Sequence, residues 1–169
     1  MAGMARCFYL VLTCGFAVAA GACEAPAMVE GIFAHERFRL ESEAPLSKEN
    51  GSERDMLVVL SQVDGETLST ISLMLPDFVS LPLGAAVAVG TGAATDPRPS
   101  LEVAVGALLV ETRADGVEVL SSTDATIAVT VGGAFTLEDA SEGQITAAFR
   151  VDLDDGGYLA GSFTAMPGS

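Results

Sequence analysis

Residues 145–165 read ITAAFRVDLDDGGYLAGSFTA, and this stretch predicts the fold class more clearly than any other part of the chain. Every second side chain from Ile145 to Leu153 is apolar, which is the period of a half-buried strand. The turn Asp154-Asp155-Gly156-Gly157 follows, and these residue types tolerate the positive φ angles of a tight turn. The return segment from Tyr158 to Ala165 places Leu159 and Phe163 on one side. The stretch therefore predicts an antiparallel β-hairpin.

The same pattern recurs along the chain after residue 22. Asp64-Gly65 and Ala114-Asp115-Gly116 predict two further hairpin turns, and the polar stretch Glu41–Asp55 predicts a long surface loop. No window shows the apolar spacing of a helix. The sequence therefore predicts an all-β domain, an antiparallel β-sandwich or small β-barrel of about eight or nine short strands. The other predicted strands are Gly31–Leu40, Met56–Val63, Thr67–Leu75, Ala85–Val89, Leu101–Thr112, one beginning at Val117, Ile127–Val131 before Gly132-Gly133, and the first part of Ala134–Gly143.

The N-terminal residues predict export. Arg6 is the single charge before an apolar run that extends from Cys7 to Ala19, and Ala20-Gly21-Ala22 then supplies small residues just before Cys23. This is the order of a secretory signal peptide: a positive start, an apolar segment and a small-residue cleavage site. In solution such a signal is expected to be helical, and it is removed on export.

The end of this signal resembles the lipobox of bacterial lipoproteins, in which small residues precede a cysteine that is acylated and becomes the mature N-terminus. The resemblance covers only the first 24 residues or so, and Ala20 stands where the family usually has a larger aliphatic residue. It implies cleavage between Ala22 and Cys23, lipidation of Cys23 and contact with membrane lipid through the acyl chains. Two alternatives stay open: ordinary signal cleavage at Ala20-Gly21-Ala22, and an uncleaved anchor, although 16 apolar residues are short for a membrane span.

These features divide the chain into a signal peptide (1–22), a lipidated cysteine with a short tether (23–30) and one β domain (31–169). Cys7 and Cys14 would leave with the signal, so Cys23 is the only cysteine of the mature chain and no disulfide framework or zinc motif exists. The predicted location is the cell envelope, with the protein held by its lipid. In some bacteria an Asp after the cysteine retains a lipoprotein in the inner membrane. Glu24 is not that residue, which favours the outer membrane; secretion is the alternative.

Charge excludes one class of partner. Removing Arg6 leaves seven basic against 23 acidic side chains, a net charge of −16. Nucleic acid and anionic surfaces are bound through a basic footprint, so we expect no nucleic-acid partner.

No catalytic constellation is visible in the sequence. The single histidine, His35, shares the parity of Arg37 and Arg39 and is predicted to face solvent. Asp152, Asp154 and Asp155 are weak calcium candidates, because three acids and a glycine share one turn and Ca²⁺ prefers oxygen ligands. Their spacing does not match the EF-hand loop, and no cofactor is predicted.

The sequence therefore predicts a membrane-anchored envelope lipoprotein that acts as a non-enzymatic binding or structural module, with an envelope protein or small ligand as its partner. The first alternative is a lipocalin-like carrier of a small apolar ligand, which requires an empty apolar cavity between the sheets. The second is a secreted enzyme of unknown class, which requires carboxylates or His35 converging in a pocket.

Overall fold

The computed structural model describes residues 10–11, 27–49, 54–90, 98–114, 116, 118–141 and 144–167. About three quarters of these residues lie in strands, which confirms the all-β class, and the strands number eleven rather than eight or nine. One 3-10 turn, Phe78–Ser80, is the only helical element among them. The strands are β1 (Leu10–Val11), β2 (Ala27–Phe33), β3 (Glu36–Ser42), β4 (Leu46–Glu49), β5 (Met56–Asp64), β6 (Thr67–Leu75), β7 (Ala86–Ala88), β8 (Ser100–Thr112), β9 (Glu118–Asp139), β10 (Ile145–Leu153) and β11 (Tyr158–Pro167).

Seven strands form a closed hydrogen-bonded circuit, in the order β11, β10, β9, β8, β6, β5 and β4. All neighbours in this circuit are antiparallel except the last pair. There β4 returns to the end of β11 through the parallel partners Leu46–Met166 and Ser47–Pro167. β2 pairs with the first half of β11, and β3 pairs with β2, so these two strands extend the sheet beyond the circuit. The fold is a sandwich whose two sheets are joined through β9 and β11, which makes it barrel-like.

The edge strand β3 is connected to the opposite sheet by side chains. The Glu41 amide donates to Gln62 Oε1 over 2.9 Å, and the Ser61 amide donates to Ser42 Oγ over 3.4 Å. These bonds satisfy backbone groups that an edge strand would otherwise leave open. β3 is therefore held against β5 without a β-ladder between them.

The hydrophobic core lies between the two sheets and is built from the inward-facing side chains of nearly every long strand. Leu40, Leu60, Ile71 and Leu159 are fully buried within it, and Phe149 packs against Phe163 with ring centroids 6.4 Å apart. The alternation and the hairpin predicted for residues 145–165 are confirmed, since the odd-numbered side chains of β10 are buried and β10 pairs antiparallel with β11.

β9 is a single 22-residue strand, where the sequence predicted three separate pieces. Its first half pairs with β8 and its second half with β10, so it passes from one sheet to the other. β9 changes partner between Val129 and Thr130, and Gly132 and Gly133 lie just after this point, in the strand rather than in a turn. A Cβ on Gly133 would stand 2.2 Å from the Arg150 carbonyl oxygen, so the glycine permits the close approach of β10.

The predicted strand Gly31–Leu40 is instead a hairpin, with β2 and β3 joined by Ala34 and His35. Both residues have positive φ, 51° and 66°, as a two-residue type I′ turn requires. His35 is exposed as predicted, but it lies in this turn and not in a strand. β1, Leu10–Val11, lies in the segment predicted to be a signal helix, and β2 begins at Ala27, so residues 27–30 of the predicted tether lie in a strand.

Two segments that were not predicted to be strands have structure of their own. Glu41–Asp55 was predicted to be a loop, yet it contains the end of β3 and all of β4, which closes the circuit. The proline-bounded stretch around Phe78–Ser80 covers one end of the sandwich, and Phe78 and Leu81 pack against the core. Within the described part of the chain, no helix has the length and apolar character needed to cross a membrane.

Candidate binding face on the outer sheet

An open groove of about 860 Å³ runs over the outer face of β3, β2 and β11. Alternation places every second side chain of these strands outside, while the intervening ones enter the core. We call this surface the outer groove. Its outward-facing lining residues are Met28, Glu30, Ile32, Arg37, Arg39, Tyr158, Ala160 and Ser162.

Strand register arranges these side chains in cross-strand rows. Ile32 pairs with Tyr158 on one side and with Arg37 on the other. In the next row Glu30 lies between Ala160 and Arg39. Directly opposite residues in an antiparallel sheet are close enough for their side chains to interact. The groove therefore combines an apolar and aromatic row with a charged row, and the small Ala160 leaves space between them.

Exposure makes this surface available for contact. Met28 is 47% exposed and Tyr158 is 42% exposed. The guanidinium of Arg150 on β10 lies over the Tyr158 ring, 5.5 Å from its centroid, which is within cation–π range. An aromatic ring fixed by a neighbouring cation is a rigid contact element, because fewer side-chain rotamers remain to be ordered when a partner binds.

The charged row is partly neutralised. Arg39 forms an ion pair with Glu41 and a longer one, 3.6 Å, with Glu30. The hydrogen bonds that the Arg39 guanidinium donates to Glu41 raise the pKa of Arg39, with further contributions from the charges of Glu41 and Glu30. These exposed pairs add little stability. Arg37 forms no ion pair with the described residues, so it is the cation of the groove that is open to an external anion.

The predicted calcium candidates do not converge. Asp155 accepts hydrogen bonds from the Ala34 and Gly157 amides, both at 2.7 Å, and Asp154 accepts one from the Val129 amide at 3.0 Å. Asp152 lies on the outer face, paired in the ladder with Tyr158. Asp155 and Asp154 thus tie the β10–β11 turn to the β2–β3 turn and to β9. Among the described residues, no group of three or more histidines, cysteines or acids is placed to hold a metal ion.

The remaining predicted site residues are separated from the groove or lie outside the described part of the chain. Cys23 and Ala22 lie outside the described part of the chain. His35 is at the turn, where the described structure places no nucleophile or carboxylate in hydrogen-bond contact with its ring.

The space between the sheets is occupied by one continuous cluster of buried apolar side chains, which includes Phe135, Leu60 and Leu159. A lipocalin-like carrier needs that space to be open to its ligand. The outer groove, by contrast, was not predicted from the sequence. In the sequence, the shared parity of Arg37 and Arg39 indicated that their side chains lie on one face of a strand. The sequence did not reveal that β2 and β11 form the rest of the outer groove.

Comparison with known proteins gave no relative. No protein-family model, no curated protein and no solved structure matches this chain.

Proposed function

We propose that this protein is a lipid-anchored envelope lipoprotein that acts without catalysis, as a binding or structural module. The observation that carries the proposal is the position of the first domain strand. Ala27 is already fully buried in β2, only three residues after Glu24 begins the tether behind Cys23. A lipid on Cys23 would thus be joined almost directly to the folded body.

This short connection has a geometric consequence. Glu24, Ala25 and Pro26 span about 10 Å when extended, so an acylated Cys23 holds the domain against the bilayer. Two or more acyl chains anchor a protein stably, whereas a single chain binds marginally. Ala27 pairs with Ser42, and the outer groove begins at the next residue, Met28. In the anchored protein the groove lies beside the membrane surface.

The outer groove is the contact surface that we propose for the partner. Tyr158 and Met28 supply apolar contact area, and Arg37 supplies a cation for an anionic group on the partner. Aromatic residues, Met and Arg are enriched at protein interfaces. An envelope protein fits this surface, while the strongly acidic remainder of the domain keeps the protein soluble on its other sides.

Anchoring is tested by labelling cells with radioactive palmitate and comparing the wild type with Cys23→Ala. We expect label in the wild-type protein and none in the variant, which should move from the membrane to the soluble fraction. Intact mass of the native protein should show a chain that begins at acylated Cys23. An unmodified thiol on Cys23, or a retained leader, would contradict the proposal. Separation of inner and outer membranes then tests the expected outer-membrane location.

The partner surface is tested by photo-crosslinking in intact envelopes, with the photoreactive residue at Ile32 in the groove or at Val79 as control. Val79 is 67% exposed on a different part of the surface. We expect Ile32 to yield a defined crosslinked species that Arg37→Glu weakens. Equal products from both positions would remove the groove as the contact surface.

A further inference from the structure

The sheet opposite the outer groove has an outer face of a different composition. Its strands lie in the order β4, β5, β6, β8 and the first half of β9. Leu60, Ile71, Val103 and Ala128 point into the core, so their neighbours in sequence point outward. We call this outward surface the apolar face. It consists of three cross-strand rows, which are Lys48, Leu57, Met74 and Ser100; Leu46, Val59, Ser72, Glu102 and Val129; and Ser61, Thr70, Ala104 and Ile127.

The apolar face carries very little charge. Lys48 at its margin and Glu102 are the only charged residues in the three rows, and their signs are opposite. The outer face of the other sheet carries many more charges, namely Glu30, Arg37, Arg39, Glu41, Arg150 and Asp152. An antiparallel sheet that faces water on one side normally places polar side chains there. In a chain with 23 acidic residues, the composition of the apolar face is that of a surface that is covered.

Large apolar side chains of this surface are accessible in the single chain. Ile127 is 41% exposed and Val129 is 36% exposed, and Val63, just beyond the third row on β5, is 46% exposed. The face ends at Gly106, where a Cβ would stand 2.7 Å from the Thr123 carbonyl oxygen, because the ladder between β8 and β9 is irregular there. Contiguous exposed apolar surface of this kind marks interaction sites.

We propose that the apolar face binds the same face of a second copy of this chain, so that two sheets pack on each other about a twofold axis. Facing sheets interdigitate their side chains about 10 Å apart. Five strands about 4.8 Å apart, with about six residues of about 3.4 Å along each, cover roughly 24 Å by 20 Å. Two such faces remove roughly 1,000 Å² from water, which is the lower limit for a specific interface and suits a reversible dimer.

Charge selects a second copy as the occupant. The chain has a net charge of −15, so two copies repel each other in general, and the repulsion is smallest where Lys48 and Glu102 cancel. Homodimer interfaces are more apolar than the rest of the protein surface. A lipid surface is a poorer occupant, because proteins that lie on membranes present several basic residues and large aromatic or aliphatic side chains, whereas the three rows contain one Lys and no aromatic residue. The outer groove is on the other sheet and stays open in the dimer.

Self-association is measured by sedimentation equilibrium of the native protein in density-matched detergent micelles, with micelles in excess over protein. We expect a monomer–dimer equilibrium for the wild type. Thr70→Glu should weaken it at least about tenfold, because an unpaired charge is costly to bury. Thr164→Glu changes a half-buried threonine on the outer face of β11, in the other sheet, and is the matched control. Its association should differ from that of the wild type by less than about twofold.

Two further measurements separate the contact from the fold. Thr70→Val keeps the shape of the side chain and should associate at least as tightly as the wild type, and it serves if urea unfolding shows that Thr70→Glu does not fold. Raising NaCl from about 10 to about 300 mM should tighten the dimer, since screening reduces the repulsion between copies. A dimer that Thr70→Glu leaves unchanged, or that salt dissociates, would overturn the inference.

The contact in intact envelopes is tested by introducing single cysteines along the third row, with Val79→Cys as control, at Ser61, Thr70, Ala104 and Ile127. A twofold contact brings part of the face against itself, so diamide should link two copies through at least one of these positions and not through Val79→Cys. The wild type treated in the same way measures disulfides formed through Cys23, which reads a failure of the proposed acylation separately. Disulfides at none of the four positions, or only to a different protein, would contradict a dimer. An Ile127→Cys thiol that forms no disulfide and is shielded by lipid from a water-soluble alkylating reagent would make the bilayer the occupant instead.

Discussion

Ala34 and His35 occupy the turn conformation that glycine and asparagine adopt most easily. Their φ angles of 51° and 66° are uncommon for residues with a Cβ, and the left-handed region costs about 1–2 kcal/mol per ordinary residue. The Asp155 carboxylate offsets part of this cost by accepting the Ala34 amide over 2.7 Å. The turn was missed in the sequence because Ala-His carries none of the residue types that signal a hairpin.

Replacing this pair with Ala34→Asn and His35→Gly should stabilise the domain by about 1 kcal/mol, since Asn-Gly is the preferred type I′ sequence. The measurement is the urea midpoint of unfolding at constant slope. A midpoint equal to that of the wild type would mean that the turn is not strained in solution.

Asp155 should be more important for stability than Asp152, although both lie in the same predicted calcium cluster. Asp155→Ala leaves the Ala34 and Gly157 amides without their acceptor, and we expect a loss of about 1–3 kcal/mol. Asp152→Ala should change the free energy of unfolding by less than about 0.5 kcal/mol, as exposed substitutions usually do. Chemical denaturation of both variants with and without added Ca²⁺ checks this. If added Ca²⁺ stabilised the wild type and both variants lost this stabilisation equally, a metal site would be favoured instead.

Asp77 is a carboxyl whose titration the structure perturbs. Hydrogen bonds from Ser80 and then Arg54 hold the pKa of Asp77 below its ordinary value. A lowered folded-state pKa contributes stability above the unfolded-state value, and that contribution disappears as the pH falls through the folded-state pKa. NMR titration should show the pKa of Asp77 rising in Ser80→Ala and in Arg54→Ala. Unchanged values in both variants would show that these contacts do not persist in solution.

At the level of elements, the sequence predicted strands where a turn signal and a two-residue period coincide. The hairpins joined by Asp64-Gly65 and by Asp154-Asp155-Gly156-Gly157 are both present. β9 was divided wrongly, because Gly132-Gly133 was treated as the end of a strand. Glycine in a strand also marks close backbone approach, and only the position of β10 distinguishes that use from a turn.

Gly31 tests how tightly β2 and β11 approach each other. A Cβ at this position would lie 1.9 Å from the Tyr158 carbonyl oxygen, so Gly31→Ala requires the backbone to move. We expect a destabilisation of about 2–3 kcal/mol, typical of overpacking. Gly132→Ala is the matched control in another strand, since its Cβ would meet nothing closer than 3.8 Å and should be tolerated. Thermal unfolding compares the two, and equal effects would contradict the predicted close contact.

For the whole molecule, the dominant electrostatic feature is the excess of acidic side chains. The chain carries a formal net charge of −15, so like charges repel in the folded state. Salt screens this repulsion. The melting temperature should therefore rise by roughly 2–4 °C between 10 mM and 300 mM NaCl, on the usual scaling of melting temperature with free energy. A fall in the same range would mean that favourable ion pairs dominate.

The outer groove shows why a site on this fold is harder to predict than the fold itself. Arg37 and Ile32 are close in sequence, and alternation places both at defined positions of their strands. Tyr158 joins them only because β11 pairs with β2, a contact between residues more than a hundred positions apart. Local patterns carry no information on such pairings, which arise when the two sheets assemble around a shared core.

The parallel contact of β4 with β11 places a constraint on the order of folding. It joins Leu46 and Ser47 to Met166 and Pro167, the last residues that the structure describes. While β11 is still being synthesised, β4 has no partner on that side, so the hydrogen-bonded circuit stays open. Closure of the circuit must therefore wait until β11 has been synthesised, and a pairing between residues so far apart in sequence is intrinsically slow to form.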